Sequence, residues 1–168
     1  EIDLSGEWHW SIDPYRDGYS GFHGGEAGYG SRRYNFIDVE EEMRRNPVSL
    51  FEYDMQNAKT AIIPSAWIGH EPEMRHYQGV VWYQRNFELM PQDSERVFIE
   101  FGAVNYRADV YLNGQRIGEH VGGFTPFRFE VTSVAVSGTN VLTVGVDSRR
   151  DWQSVPPPVT DWETYGGI

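Results

Sequence analysis

The chain contains no cysteine. Disulfides, thiolate nucleophiles and cysteine-ligated zinc are therefore excluded, although the absence does not fix a compartment, because many exported proteins also lack cysteine. Basic residues are scarce: 14 Lys and Arg stand against 25 Asp and Glu among 168 residues, a formal charge of −11. Nucleic acids and anionic membrane surfaces select a basic footprint, so neither is an expected partner. A strongly anionic substrate stays open, because a pocket can hold a local Arg against the overall sign. No apolar run approaches the ~18 residues of a membrane span. No signal peptide is visible at Glu1, which leaves a cytoplasmic chain or one already trimmed, with a periplasmic or secreted location favoured over a cytoplasmic one.

The common catalytic signatures are missing as well. The five histidines (His9, His23, His70, His76 and His120) are scattered and form no His-Glu-x-x-His. Only His70, Glu71, Glu73 and His76 could meet in one loop, a weak case for a metal by the usual ligand rules. There is no Gly-x-Ser-x-Gly elbow for a serine nucleophile and no Gly-Lys-Ser/Thr to cradle a phosphate. Glycosidic hydrolysis needs two carboxylates across a bond, and spacing alone selects no pair from the 25 acidic residues. Residue types alone identify no catalytic set, and no metal site or cofactor is expected.

What the chain does have is aromatic side chains, 15% of its residues, and short alternating runs. Tyr and Trp offer flat apolar faces with a polar handle, which suits sandwich cores and sugar-binding surfaces alike. Val97, Ile99 and Phe101 alternate with Phe98 and Glu100, the period of a half-buried strand. Ala108 to Leu112 predicts a second strand, Asn113-Gly114 a two-residue turn with positive φ at both positions, and Gln115 to Val121 the returning partner. Phe127, Phe129 and Val131, then Leu142, Val144 and Val146, give two more. Upstream, Trp8, Trp10 and Ile12 alternate in a first strand, Thr60 to Ile63 forms a short one stopped by Pro64, and Val81, Tyr83, Arg85, Phe87 and Leu89 mark the longest. Short strands separated by turn chemistry predict an all-β, antiparallel β-sandwich or barrel.

Two segments break the pattern. Residues 14–59 open with six glycines among aromatics and lose all hydrophobic period, so a long excursion or lid-like loop is expected there, followed by one short helix from Asp38 to Arg45. Asp151 to Pro158 turns proline-rich, and Pro156-Pro157-Pro158 predicts a stiff extended connector.

Several motifs in order resemble one family. Leu4-x-Gly6-x-Trp8, Pro64-x-x-Trp67, Tyr77-Gln78-Gly79-Val80-Val81-Trp82-Tyr83-Gln84-Arg85, Asn113-Gly114, Glu119-His120-x-Gly122-Gly123-x-Thr125-Pro126-Phe127, Asp151-Trp152-Gln153-Ser154-Val155-Pro156-Pro157 and Asp161-Trp162-x-x-Tyr165-Gly166-Gly167-Ile168 are similar to the N-terminal domain of family 2 glycoside hydrolases, closest to β-glucuronidases and then β-galactosidases. The resemblance implies a jelly-roll, galactose-binding-like β-sandwich spanning 1–168 as one domain, with 14–59 as an insertion and 151–168 as a tail toward a next domain. It implies further an immunoglobulin-like domain and a catalytic (β/α)8 barrel elsewhere in a parent chain. The two catalytic glutamates of a retaining mechanism would sit in that barrel, and the isolated 168 residues are expected to be inactive. The Asp of the last motif reaches the sugar in the family, which assigns substrate binding to Asp161. Trp162 and Tyr165 could flank the sugar or anchor the loop, and His76 lies in a loop that approaches the site in some relatives. Glu119, His120 and Thr125 are read as architecture. Two other uses stand beside this one: a free-standing carbohydrate-binding module using exposed aromatics such as Tyr19, Phe22, Tyr29 or Trp67, and an interaction domain that builds a homo-oligomer.

Overall fold

A computed structural model describes residues 1–19, 46–50, 53–91, 95–161 and 164–168. The helix expected at 38–45 and the middle of the 14–59 insertion lie outside these described residues. Among the described residues eight strands form: β1 Gly6–Asp13, β2 Lys59–Ile63, β3 Val80–Leu89, β4 Phe98–Phe101, β5 Arg107–Leu112, β6 Gln115–Val121, β7 Phe127–Glu130 and β8 Gly138–Asp147. Six make one antiparallel sheet in the order β2-β1-β3-β8-β5-β6, and β4 pairs with β7 in a second. The fold is the all-β sandwich the alternation predicts.

The inner face of the large sheet packs on the small one. Trp8 and Trp10 from β1, Val81 and Tyr83 from β3, Val110 and Leu112 from β5, and Val144 and Val146 from β8 meet Ile99 and Phe101 from β4. Ile12 shares that face with Trp8 and Trp10 but is 41% exposed. The reason is local: β2 ends at Lys59, opposite Trp10, so no strand flanks Ile12 on that side. The β5–β6 hairpin turns where Asn113 (φ 52°) and Gly114 (φ 79°) take the left-handed conformations expected of them. A Cβ on Gly114 would fall 1.9 Å from the Pro47 carbonyl oxygen, so the turn also needs glycine for space. Asn113 ties the turn down by donating to Asn140 Oδ1 (2.9 Å) and accepting from the Val141 N–H (2.9 Å).

The central strands are buried on both faces, which half-buried alternation does not anticipate. On the outer face Val80, Trp82 and Tyr111 form a second apolar cluster with Leu50, Met55, Tyr19 and Tyr53. Both described ends of the 14–59 insertion thus lie against the sheet as its second cover. Gly18 and Gly145 make room for the Trp82 indole, since a Cβ on either would come within 2.2 and 2.8 Å of it. The polar centre of this cover is the Asp13 carboxylate, which is fully buried. One oxygen accepts from the Asp17 N–H (2.9 Å) and the Tyr53 hydroxyl (2.7 Å); the other accepts from the Gly18 N–H (3.0 Å) and Trp82 Nε1 (2.8 Å). A carboxylate offers the lone pairs to satisfy four donors at once, which is what burial of this group requires.

Removing that acceptor strands several buried donors, each costing about 1–3 kcal/mol before relaxation. Asp13→Ala is expected to lower the unfolding free energy by more than about 3 kcal/mol in urea titration. Asp13→Asn should recover little of it, because the amide turns a donor toward buried donors; near-wild-type stability for Asp13→Asn would show the carboxylate is not needed.

Candidate functional site

The last described stretch, 164–168, is held at one end of the sandwich between two loops. Gly167 bridges Ala66 on one side and Asn105 on the other, in both cases antiparallel. Four main-chain hydrogen bonds make the seam: Ser65 N–H to the Ile168 carbonyl (2.7 Å), Trp67 N–H to Gly166 (2.9 Å), Asn105 N–H to Gly167 (3.0 Å) and Gly167 N–H to Asn105 (3.3 Å). The Asn105 side chain adds a fifth bond, donating from Nδ2 to the Tyr165 carbonyl (2.8 Å). The two glycines are required by contact. A Cβ on Gly166 would lie 2.2 Å from the Trp67 ring, and one on Gly167 (φ 154°) would lie 2.4 Å from the Ser65 carbonyl oxygen. The motifs Pro64-x-x-Trp67 and Tyr165-Gly166-Gly167, a hundred residues apart in sequence, are therefore two halves of one joint. A shallow concavity of about 320 Å³ opens beside it, with Asn105, Gly123, Tyr165 and Ile168 in its lining.

Trp67 is the support on which this end rests. It is fully buried, starts the 3-10 turn Trp67–Gly69, and packs 5.7 Å from the Tyr77 ring. Tyr77 follows the second 3-10 turn, Pro72–His76, and donates its hydroxyl proton to the Val80 carbonyl (2.8 Å). Burial, with the Asp13 charge adding to it, pushes the Tyr77 phenol up to about 12, so it stays a donor at any ordinary pH. His70 closes the first turn through its N–H to the Trp67 carbonyl (2.9 Å), packs at a tilt with its ring 5.2 Å from that of Trp10 and sets Nε2 3.0 Å from the Tyr83 hydroxyl.

The predicted site residues divide accordingly. Asp161 is exposed, on a bend four residues ahead of the stitched Tyr165. Tyr165 is half-buried and serves the joint through its carbonyl. His76 is exposed at the end of its turn, carried by the loop that Tyr77 pins to Trp67. Trp162 lies outside the described residues. His70, Glu71, Glu73 and His76 do not converge, since His70 faces Tyr83 while Glu71 pairs with Lys59. Trp67, offered as an exposed sugar-stacking ring, is instead core, and Tyr19 packs 4.8 Å from Trp82 in the outer cluster; both rings were needed to fill space beneath loops that alternation does not reveal. Glu119 pairs with Arg107 and Arg116, and His120 stacks on Phe127 (4.1 Å) and meets Thr125 Oγ1 (3.3 Å), the architectural roles expected of them. Asp151 and Ser154 close a compact turn ahead of Pro156-Pro157-Pro158. Asn105 was not singled out by sequence reasoning.

The family model described as glycosyl hydrolases family 2, sugar binding domain, matches residues 3–165. The chain belongs to that family. A β-galactosidase of Thermoanaerobacter pseudethanolicus is 34% identical over 142 residues, 80% of this chain and 19% of the relative. A β-glucuronidase of Paenibacillus borealis is 28% identical over 160 residues, 92% of this chain and 22% of the relative. Among solved structures, Bifidobacterium dentium β-glucuronidase complexed with coumarin-3-O-glucuronide superposes with a TM-score of 0.64 at 30% identity, over 92% of this chain and 21% of that one. The β-glucuronidase of an uncultured Clostridium sp. gives 0.68 at 28% identity, over 99% of this chain and 27% of that one. The family 2 chain described here thus spans about a fifth of the length of the curated relatives it matches.

Two outcomes follow from this joint. Gly166→Ala drives a methyl into the Trp67 ring, and such overpacking costs about 1–3 kcal/mol; faster hydrogen exchange at the Trp67 amide with β3 unchanged is the expected result. The second concerns pH. Burial lowers the His70 pKa below its usual 6.5, with Glu71 partly offsetting it. The unfolded chain then takes up the proton more readily than the folded one, so the contribution of the neutral ring is complete above pH 6.5 and is lost as pH falls below it toward the folded value. Stability measured against pH just below 6.5 should slope less in His70→Gln than in the wild type; equal slopes would remove His70 as the cause.

Proposed function

We propose that this family 2 domain is the N-terminal sugar-binding domain of a retaining β-glycosidase of the β-glucuronidase or β-galactosidase type. The parent hydrolyses O-glycosidic bonds, and its acid/base and nucleophilic carboxylates belong to a catalytic barrel outside the 168 residues. Asp161 contacts the substrate from this side. The observation that carries the reading is the joint at Tyr165–Ile168: five hydrogen bonds fix the chain from four residues after Asp161, while Asp161 stays exposed. A carboxylate so held can accept from two neighbouring sugar hydroxyls, and bonds to a charged acceptor are the stronger kind. His76 and Tyr165 lie on loops braced by the same Trp67 and would line the approach. Trp162 joins them by its place in the motif.

The segment leading to Asp161 also favours packing on the rest of the parent. Trp152, Val155 and Val159 are 78%, 75% and 74% exposed, more apolar surface than a solvated connector needs. An immunoglobulin-like domain and the barrel of the same chain are the partners proposed for it. Substrates are β-glycosides, with glucuronides favoured by the Bifidobacterium dentium complex.

In the full-length parent, Asp161→Ala should lower kcat/KM on aryl β-glucuronide or β-galactoside by at least about tenfold, the scale of one charge-assisted hydrogen bond of ~1.5–3 kcal/mol. The melting temperature should be unchanged. Wild-type kinetics on both substrates would overturn the assignment of Asp161.

A further inference from the structure

The geometry points to Asn105 as the positioning residue that sets where Asp161 stands, an inference that rests on the substrate-contacting reading of Asp161. The segment carrying Asp161 is held from the loop at Asn105 and Tyr106 on both sides of Asp161, beside its bonds to Ser65 and Trp67. Upstream, the Val155 N–H donates to the Tyr106 hydroxyl (3.1 Å). Downstream, Asn105 holds Gly167 through two main-chain bonds and Tyr165 through its side-chain amide. Asp161 lies between these two clamps. The loop itself is rigidly founded: Val104 is buried in the main core, and the Tyr106 N–H donates to the Asp147 carbonyl of β8 (3.2 Å). Any tilt of the Asn105 amide is therefore passed to the tail and not absorbed by the sheet.

The side chain is suited to this in two ways. It supplies an N–H donor aimed at the Tyr165 carbonyl, beside the concavity that Asn105, Gly123 and Tyr165 line. Its flat amide also packs directly on the buried α-carbon of Gly123, where a Cβ would come within 2.6 Å of Asn105 Oδ1. Gly123 thereby fixes the amide plane from behind while touching neither Asp161 nor the tail bonds themselves. The main-chain groups of the seam are present in any Asn105 variant, so losing the side-chain bond loosens the seam at Gly167 and shifts the tail's pitch without detaching it.

The test uses the full-length parent and three lines of variants. Asn105→Ala and the near-isosteric Asn105→Asp, which replaces the donor with an acceptor facing the Tyr165 carbonyl, should both lower kcat/KM by about 10- to 100-fold, the upper figure being the scale of a roughly 1 Å misplacement. Gly123→Ala, which displaces the amide without altering it, should reproduce the loss. In an Asp161→Ala background each of these changes should produce no further loss, because a positioning residue has nothing left to position. Hydrogen exchange should quicken at the Gly167 amide and stay unchanged in β3. Losses that multiply with that of Asp161→Ala, or wild-type kinetics for both Asn105 variants beside a damaged Asp161→Ala, would overturn the proposal. Unchanged exchange at Gly167 would overturn the clamp. A silent Asp161→Ala would instead overturn the reading of Asp161 and sever the link to catalysis, and the exchange result separates that failure from a failure of the clamp.

Discussion

A sheet whose central strands are buried on both faces, with large rings on the outer one as well, has to be covered twice, and the rest of this molecule follows from how that is done. On the inner face β4 and β7 supply a conventional second layer. On the outer face no third sheet exists among the described residues. Instead Tyr19, Leu50, Tyr53 and Met55 from the ends of a long insertion close over Val80, Trp82 and Tyr111. Aromatic rings suit such a cover because each brings a large apolar area together with a polar tip that can reach a buried partner. The Tyr53 hydroxyl and the Trp82 indole both find theirs in one carboxylate, Asp13. The buried charge is tolerated because its oxygens are fully occupied, and the cover is specific because only one arrangement occupies them.

How much of this could be read in advance depended on how local the cause was. β4 through β8 were legible because alternation and the Asn113-Gly114 turn each act within a few residues. The outer cover was not, since its residues follow no period and take their positions from Trp82, far along the chain. Trp67 could be picked out by motif, yet its burial depends on Gly166, a contact no spacing rule supplies. Asp161 was legible only through the family motif; a lone exposed aspartate carries no signal of its own. Asn105 was invisible for a related reason. Its worth lies in a hydrogen bond to Tyr165, sixty residues away, and asparagine in a loop is by itself an ordinary turn former.

The outer cover and the inner core fix the sandwich, whereas the joint at Gly167 adds a dense set of directional bonds above the buried Trp67. Hydrogen bonds to main chain define position better than apolar contact does, because they lose strength steeply with angle and distance. A segment that must present a side chain to a neighbouring domain is suitably held in that way.

The Asp13 carboxylate has one more consequence. It binds Asp17 and Gly18 where the chain leaves the sandwich and Tyr53 soon after the chain returns, so both ends of the excursion meet at a single buried group. Once those ends are joined, chain length between them matters only through loop closure, and doubling it costs only about 0.6 kcal/mol. The interval between Tyr19 and Leu50 is therefore a place where a common scaffold can accept sequences of very different length and character without re-solving its fold.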